Sequence, residues 1–248
     1  MQNFAKQKRK DLALKIISPL AIVLLFFAIW EFALIWGNIP GWVIAKPTDI
    51  FKAFVQRFSS QIWPNAWITL KTILIAFPIG SILGIVVAGL LTNSTFIANA
   101  ATPYIIFLVC TPMMTLVPLL TILLGFGLQP RIIVVILQCF PIVNMNCCVG
   151  FLNVPLERRE LMMSMKATRL QNFFKITIPS SIPNIFTGLR LGFIVCVTCC
   201  IAAEFAGGNS GLGAAIILHT QFIRLPLAFA CIFAVAIIGI VFYNLISL

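Results

Sequence analysis

Charged residues are scarce in this sequence. Only 9% of the 248 residues are charged and just six are acidic, whereas 61% are hydrophobic. A soluble domain carries about 25% charged residues, so this composition excludes an ordinary water-soluble surface. At ~20 apolar residues per crossing, six crossings would use about half of the chain. The sequence therefore predicts a membrane protein with a single transmembrane domain over residues 1–248.

Motifs for catalysis and cofactor binding are also missing. The chain has no G-x-x-x-x-G-K-[ST] loop to bind ATP phosphates, and its one histidine, His219, has no neighbouring ligand residues in the sequence. The eight cysteines lie in apolar stretches, which favours packing over a disulfide framework or a metal site. We therefore predict that the chain is not an enzyme and has no catalytic residue, metal or cofactor of its own.

Long uncharged runs indicate where the chain crosses the membrane. Residues 72–130 carry no charge, which is enough for two crossings separated by the polar residues 92–94. Further apolar runs cover residues 16–36, 132–156, 191–203 and 225–248. These runs predict an all-α integral membrane fold with about six transmembrane helices.

The distribution of basic residues predicts the orientation. With the N-terminus inside, the cytoplasmic side collects eleven lysines and arginines, five from the N-terminal tail and six from residues 158–190, against six outside. Basic residues concentrate in cytoplasmic loops, so both termini are expected to be cytoplasmic. The net charge of +11 is explained in the same way, without nucleic acid.

Two sequence features predict how the spans pack and bend. Small residues recur every fourth position at Ala76, Gly80, Gly84 and Ala88, a spacing that lets a second helix approach closely in lipid. Three prolines, at positions 103, 112 and 118, predict that the third span is bent or broken.

The longest basic connection, residues 153–184, carries most of the functional information. Its sequence predicts two short cytoplasmic helices joined by a turn near residues 164–168. Apolar side chains stand among its basic residues, a pattern that suits either docking into a partner's groove or lying on anionic lipid. Composition alone does not separate these alternatives. The apolar residues are Met162, Met163, Met165, Leu170, Phe173 and Phe174.

The same connection resembles the cytoplasmic signature of the permease subunits of bacterial ABC importers, E-A-A, three residues, G, nine residues, I-x-L-P. Glu160, Lys166, Ile176, Ile178 and Pro179 fall in that register without a gap. Leu161 and Met162 replace the two alanines, and Lys166 replaces the glycine. The nitrate, taurine and aliphatic-sulfonate branch is further suggested by Trp30-Glu31, Ala203-Glu204-Phe205 and Ser210-Gly211-Leu212-Gly213.

This resemblance implies a type I importer permease in the bacterial inner membrane. Its partners would be cytoplasmic ABC ATPase subunits that bind ATP and Mg, a periplasmic or lipid-anchored solute-binding protein, the lipid bilayer and a second permease copy. The solute would be a small anion or organic molecule such as nitrate, a sulfonate, taurine or a thiamine precursor. The alternative is a secondary transporter driven by an ion gradient, which predicts internal repeats and more than one buried carboxylate.

Two sets of site residues follow. The resemblance implies that residues 153–184 form a coupling loop to the ATPase, and this name is kept below. Polar side chains inside spans are the candidates to line the pathway, although hydrogen bonds between helices are an alternative role. The coupling residues are Glu157, Glu160, Leu161, Met162, Met163, Lys166, Ala167, Leu170, Phe173, Ile176, Ile178 and Pro179. The pathway candidates are Thr111, Thr115, Gln138, Asn144, Asn146 and Glu204.

Overall fold

A computed structural model describes residues 21–155, 157–158, 160 and 164–247. The described residues form helices joined by turns and contain no strand. We number the helices α1 Ala21–Trp36, α2 Pro47–Arg57, α3 Trp63–Asn93, α4 Thr95–Cys110, α5 Leu116–Leu124, α6 Leu128–Leu152, α7 Arg169–Asn172, α8 Ile178–Gly207, α9 Leu212–Gln221 and α10 Leu225–Ser247.

Four helical stretches in the described residues are long and apolar enough to cross a membrane, and the bent pair α4–α5 makes up to five. The prediction of an all-helical membrane fold is confirmed. Two stretches are longer than the uncharged runs suggested: α2 continues into α3 through the π-turn Phe58–Ile62, and α7 into α8 through Phe173–Thr177. Helices extend past the apolar core because charged side chains at their ends reach water. Residues 16–20 of the first predicted span lie outside the described residues.

The third span is broken, as its prolines predict. Helices α4 and α5 meet at an angle of 75°, and the break lies at Thr111 and Pro112. Thr111 has an extended backbone (φ −77°, ψ 125°), the conformation that a following proline imposes by steric contact. The helix therefore cannot continue through this point. The preceding boundary lies where it was predicted, with α3 ending at Asn93.

The main core is a layer of three helices with α6 between α3 and α8. Gly84 of α3 packs so closely on α6 that an added Cβ would lie 2.9 Å from both the carbonyl oxygen of Phe140 and Cβ of Val143. On the other side, a Cβ on Gly192 of α8 would lie 2.7 Å from Cγ2 of Val143. The prediction of a close helix contact from the small-residue spacing is therefore confirmed. Glycines of α8 make a second close contact, with the other side of α6.

A second apolar cluster joins α2, the start of α3, α9 and α10 around buried Ile62, Leu212 and Ala230. Helix α1 is attached to this part by its Glu31, whose carboxylate accepts hydrogen bonds from the Thr48 backbone N–H (3.0 Å) and hydroxyl (2.8 Å). The carboxylate thereby satisfies a free N–H group in the first turn of α2.

Candidate functional site

The coupling loop leaves α6 after Leu152, and its described residues include helical ones on both sides of a turn. Glu157, Arg158, Glu160 and Ser164 are helical, whereas the predicted residues Leu161, Met162 and Met163 lie outside the described residues. The chain turns at residues 165–166, within the predicted interval. Helix α7 then begins with a capping box, a reciprocal pair of side chain–backbone hydrogen bonds between Thr168 and Gln171.

Lys166 occupies the left-handed region at this turn, with φ +53°. This is the position at which the importer signature has glycine. A side chain there costs on the order of 1 kcal/mol relative to glycine because its Cβ crowds the backbone. The turn therefore keeps the geometry that suits glycine, although the residue differs.

Phe173 ties the coupling loop to the membrane helices. Its ring is half-buried and stands edge-on to Phe151 of α6, with ring centres 5.4 Å apart. It also covers Gly89 of α3, where an added Cβ would lie 2.8 Å from the ring. On the other side of the loop, the Arg158 guanidinium donates to the Ser180 hydroxyl at 2.9 Å. The loop is thus fixed to α3, α6 and α8.

The opposite face of the loop is apolar, basic and exposed. Met165 and Leu170 are each 70% exposed and Phe174 is 64% exposed. Three basic side chains are exposed beside them, those of Lys166, Arg169 and Lys175. Of the remaining predicted coupling residues, Glu157, Glu160 and Pro179 are exposed, and Ala167, Ile176 and Ile178 are half-buried. We call Met165, Lys166, Arg169, Leu170, Phe174 and Lys175 the coupling face.

The pathway candidates on α6 have different surroundings. Asn144 is buried, and its amide donates to the Gly84 carbonyl of α3 at 3.1 Å. Asn146 is half-buried and donates within its own helix, to the Ile142 carbonyl at 2.8 Å. Gln138 is half-buried on the same helix. For Asn144 the geometry favours the alternative of a hydrogen bond between helices.

The two threonine candidates lie at the α4–α5 break. The Thr111 hydroxyl donates to the Phe107 carbonyl at 2.7 Å, and the Thr115 hydroxyl donates to the Pro112 carbonyl at 2.8 Å. Thr115 is exposed and Thr111 is half-buried. Both hydroxyls therefore help to satisfy carbonyls where the helix is interrupted, and a role in lining the pathway stays a prediction.

Glu204, at the end of α8, has no exposed surface. Its Oε1 accepts a hydrogen bond from the Thr69 hydroxyl at 2.9 Å, and its Oε2 accepts one from the Gly213 N–H at 2.7 Å. The Thr69 oxygen in turn accepts from the Leu212 N–H at 2.9 Å. The carboxylate therefore holds the start of α9 against α3.

The turn between α8 and α9 is held by two further side chains. Asn65 Oδ1 accepts from the Gly211 N–H at 3.1 Å, and buried Arg131 donates to the Ser210 carbonyl at 2.8 Å. Gly211 has φ +103°, and a Cβ there would overlap the Glu204 carboxylate. We call Asn65, Thr69, Arg131, Glu204 and the turn 208–213 the Glu204 network.

The sequence predicts only Glu204 of this network as a site residue. Arg131 carries a detectable signal, because it is the single charge between the uncharged runs 72–130 and 132–156. Asn65 and Thr69 give no such signal in the sequence, because a single polar residue near the start of a long helix is common and needs no functional role. Among the described residues, no group of three or more His, Cys, Asp or Glu side chains could hold a metal ion.

Comparison with known proteins identifies the class. Residues 76–248 match the profile of the family described as binding-protein-dependent transport system inner membrane component. The chain is 24% identical over 230 residues to a probable ABC transporter permease of Haemophilus influenzae, covering 93% of this chain and 94% of that protein. It is 26% identical over 225 residues to the formylaminopyrimidine transport permease ThiX of Halalkalibacterium halodurans, covering 90% and 89%.

Similar proteins also include members of the nitrate, taurine and aliphatic-sulfonate branch that the sequence suggests. The nitrate import permease NrtB of Synechocystis is 24% identical over 80% of this chain and 75% of its own length. Among solved structures, a chain of the MetNI methionine ABC transporter in an inward-facing conformation superposes with a TM-score of 0.61 and 18% identity, covering 76% of this chain and 97% of that one. This similarity supports the fold. The chain therefore belongs to the family of inner-membrane permease components of binding-protein-dependent ABC transport systems.

Proposed function

We propose that this permease forms the solute pathway of an ATP-driven importer and that its coupling loop binds a cytoplasmic ABC ATPase. ATP and Mg would be bound by that partner. A solute-binding protein would deliver the solute on the other side, and a second permease copy would complete the pathway. In this proposal both termini are cytoplasmic.

The observation that carries the proposal is the coupling face. An exposed apolar and basic surface is typical of a helix that docks into a partner's groove. Binding to anionic lipid would use the same residue types, but family membership favours the protein partner. The face also belongs to a rigidly held segment, since Phe173 is packed between Phe151 and Gly89 on the opposite side.

Helix α8 supplies a route for transmitting motion. From α7 the helical chain runs without a break through residues 169–207, and it ends at the Glu204 network. Thirty residues of α-helix span about 45 Å, roughly the thickness of a bilayer with its headgroups. Displacement of the coupling loop by an ATPase would therefore move the turn at the far end of α8.

The solute is proposed at the level of a class. Relatives carry names for formylaminopyrimidine, nitrate and taurine transport, so we propose a small anion or a small organic molecule.

The test replaces Phe174 with glutamate in a complex that is co-expressed with the ABC ATPase of the same system. An aromatic side chain at a hot spot of an interface contributes about 2 kcal/mol or more, so Phe174→Glu should weaken the affinity for the ATPase by about 30-fold and lower its recovery. ATP-dependent uptake into proteoliposomes should fall with it. Phe126→Glu is the matched control, because Phe126 is 77% exposed and lies in the turn between α5 and α6.

Equal recovery of the ATPase with both variants would contradict the docking role of the coupling face. Uphill uptake by the purified permease alone, driven by an ion gradient, would contradict the importer proposal and favour the secondary transporter.

A further inference from the structure

A polar cavity of about 550 Å³ lies beside the Glu204 network, at the far end of α8 from the coupling loop. One wall is the π-turn and the first residues of α3, and the other is the turn 208–210 with helix α9. A second cavity of about 390 Å³, bordered by α2 and the start of α10, shares Gln61 and Arg224 with the first. Arg224 therefore stands between the two spaces.

The side chains around these cavities favour an anionic guest. Two arginines, Arg57 and Arg224, are among the lining residues, and of the described residues that form the two walls none is Asp or Glu. The Glu204 carboxylate lies behind the turn 208–213, where it is buried and already hydrogen-bonded. The polar lining is completed by Gln56, Ser60, Gln61, Asn65, His219 and Gln221.

The backbone that presents Arg224 is strained. Ile223, the residue before it, has φ +56°, a conformation that β-branched residues avoid. Such strained conformations cluster at functional sites. Here it closes a tight turn in which the Arg224 N–H donates to the His219 carbonyl at 2.8 Å. The turn places Arg224 at the junction of the two cavities.

We propose that this pair of cavities is an oxyanion-binding site, with Arg224 as the main charged contact and Gln61 and His219 as hydrogen-bonding groups. Its ligand would be a small free anion or the anionic group of a small organic molecule, such as a carboxylate, sulfonate or nitrate. An arginine fork matches the planar or tetrahedral oxygens of such groups. That a transported solute first meets the permease at this site rests on the proposed function. The binding of an oxyanion at the site does not depend on that function.

The test is calorimetric titration of sulfate into the purified permease in nanodiscs of neutral phosphatidylcholine, in a buffer whose other anion is chloride, which is not an oxyanion. We expect saturable binding that weakens by about tenfold or more in Arg224→Gln, since a hydrogen bond to a charged group is lost. Arg224→Lys should retain part of the affinity, and Gln61→Leu should lower it. Lys52→Gln is the matched control, because Lys52 is exposed on α2 and outside both cavity linings.

Absence of saturable sulfate binding to the unaltered protein would overturn the proposal. An equal loss in Arg224→Gln and Lys52→Gln would overturn it as well, because the effect would then reflect net charge. Nanodiscs of anionic phosphatidylglycerol, titrated at an ionic strength high enough to screen the charge of the bilayer surface, separate two sources of the same chemistry. Sulfate binding weaker than in phosphatidylcholine at the same ionic strength identifies a lipid headgroup as competitor, and unchanged binding identifies a free anion. ATP-driven uptake of any solute without sulfate binding would refute this site alone, and sulfate binding without such uptake would refute only the importer function.

Discussion

The clearest quantitative test concerns the contact between Gly211 and Glu204. An alanine at position 211 would have to keep φ +103°, which costs about 1–2 kcal/mol for a residue with a Cβ. Its Cβ would also overlap the Glu204 carboxylate, which is held by Gly213 and Thr69. Moving that carboxylate leaves a buried donor unpaired, at about 1–3 kcal/mol. Gly211→Ala should therefore lower the free energy of unfolding by about 4 kcal/mol.

Glu204→Ala provides the second corner of a double-mutant cycle. It removes the acceptor of the Gly213 N–H and leaves a void, while the Thr69 hydroxyl can still donate to the Asn65 carbonyl, 3.2 Å away. The expected loss is about 3 kcal/mol. In the double variant there is no carboxylate for the added Cβ to overlap, so the free energy of unfolding should fall by about 4–5 kcal/mol in total. The two single losses add to about 7 kcal/mol, and the interaction energy is then about 2–3 kcal/mol.

The measurement is equilibrium unfolding in mixed micelles of SDS and dodecyl maltoside, followed by circular dichroism. Gly239→Ala in α10 is the control, because an added Cβ there has nothing within 4 Å. That change should stabilise the protein by about 0.5–1 kcal/mol, the usual gain from alanine in a helix interior. If the loss in free energy of unfolding of the double variant equals the sum of the two single losses within about 0.5 kcal/mol, the packing of Gly211 on Glu204 is refuted.

Three further changes test other parts of the structure. Asn144→Ala should lower the free energy of unfolding by about 1–2 kcal/mol because it removes a buried hydrogen bond between α6 and α3. Asn146→Ala, which removes a bond within α6, should change it by under about 0.5 kcal/mol in the same unfolding assay. Lys166→Gly should relieve about 1 kcal/mol of backbone strain, measured as slower amide hydrogen exchange at the coupling-loop turn. Glu31→Gln should weaken the attachment of α1 to Thr48 by about 1 kcal/mol, measured as faster hydrogen exchange in the first turn of α2.

Each of these expectations has a contrary outcome. Equal effects of the two asparagine variants would mean that the Asn144 hydrogen bond to α3 adds nothing to stability. Faster exchange in Lys166→Gly would show that the lysine side chain, rather than the backbone, stabilises the turn. Unchanged exchange in Glu31→Gln would remove the assigned role of that carboxylate at α2. Its control is Asp49→Asn, because Asp49 is the acidic residue within the first turn of α2 itself.

The amino-acid sequence by itself determined the features that depend on local chemistry. Scarcity of charge predicts the membrane because ionised groups are costly in lipid, and Pro112 predicts the break in the third span because proline lacks a donor and restricts its predecessor. The resemblance of residues 160–179 to the importer signature predicts the class of protein, since that signature is a continuous stretch of chain. The left-handed turn falls at Lys166, where that motif has glycine.

Only the tertiary structure decided which distant residues meet. Glu204 contacts Thr69, 135 positions earlier, and Arg131 reaches Ser210, 79 positions later, and nothing in the local sequence of either partner specifies the contact. The same holds for the cavity around Arg224, whose walls come from α2, α3, α9 and α10. Helical periodicity tells which face of a helix is apolar, but the partner of a buried polar group depends on how whole helices pack, and that is a property of the entire chain.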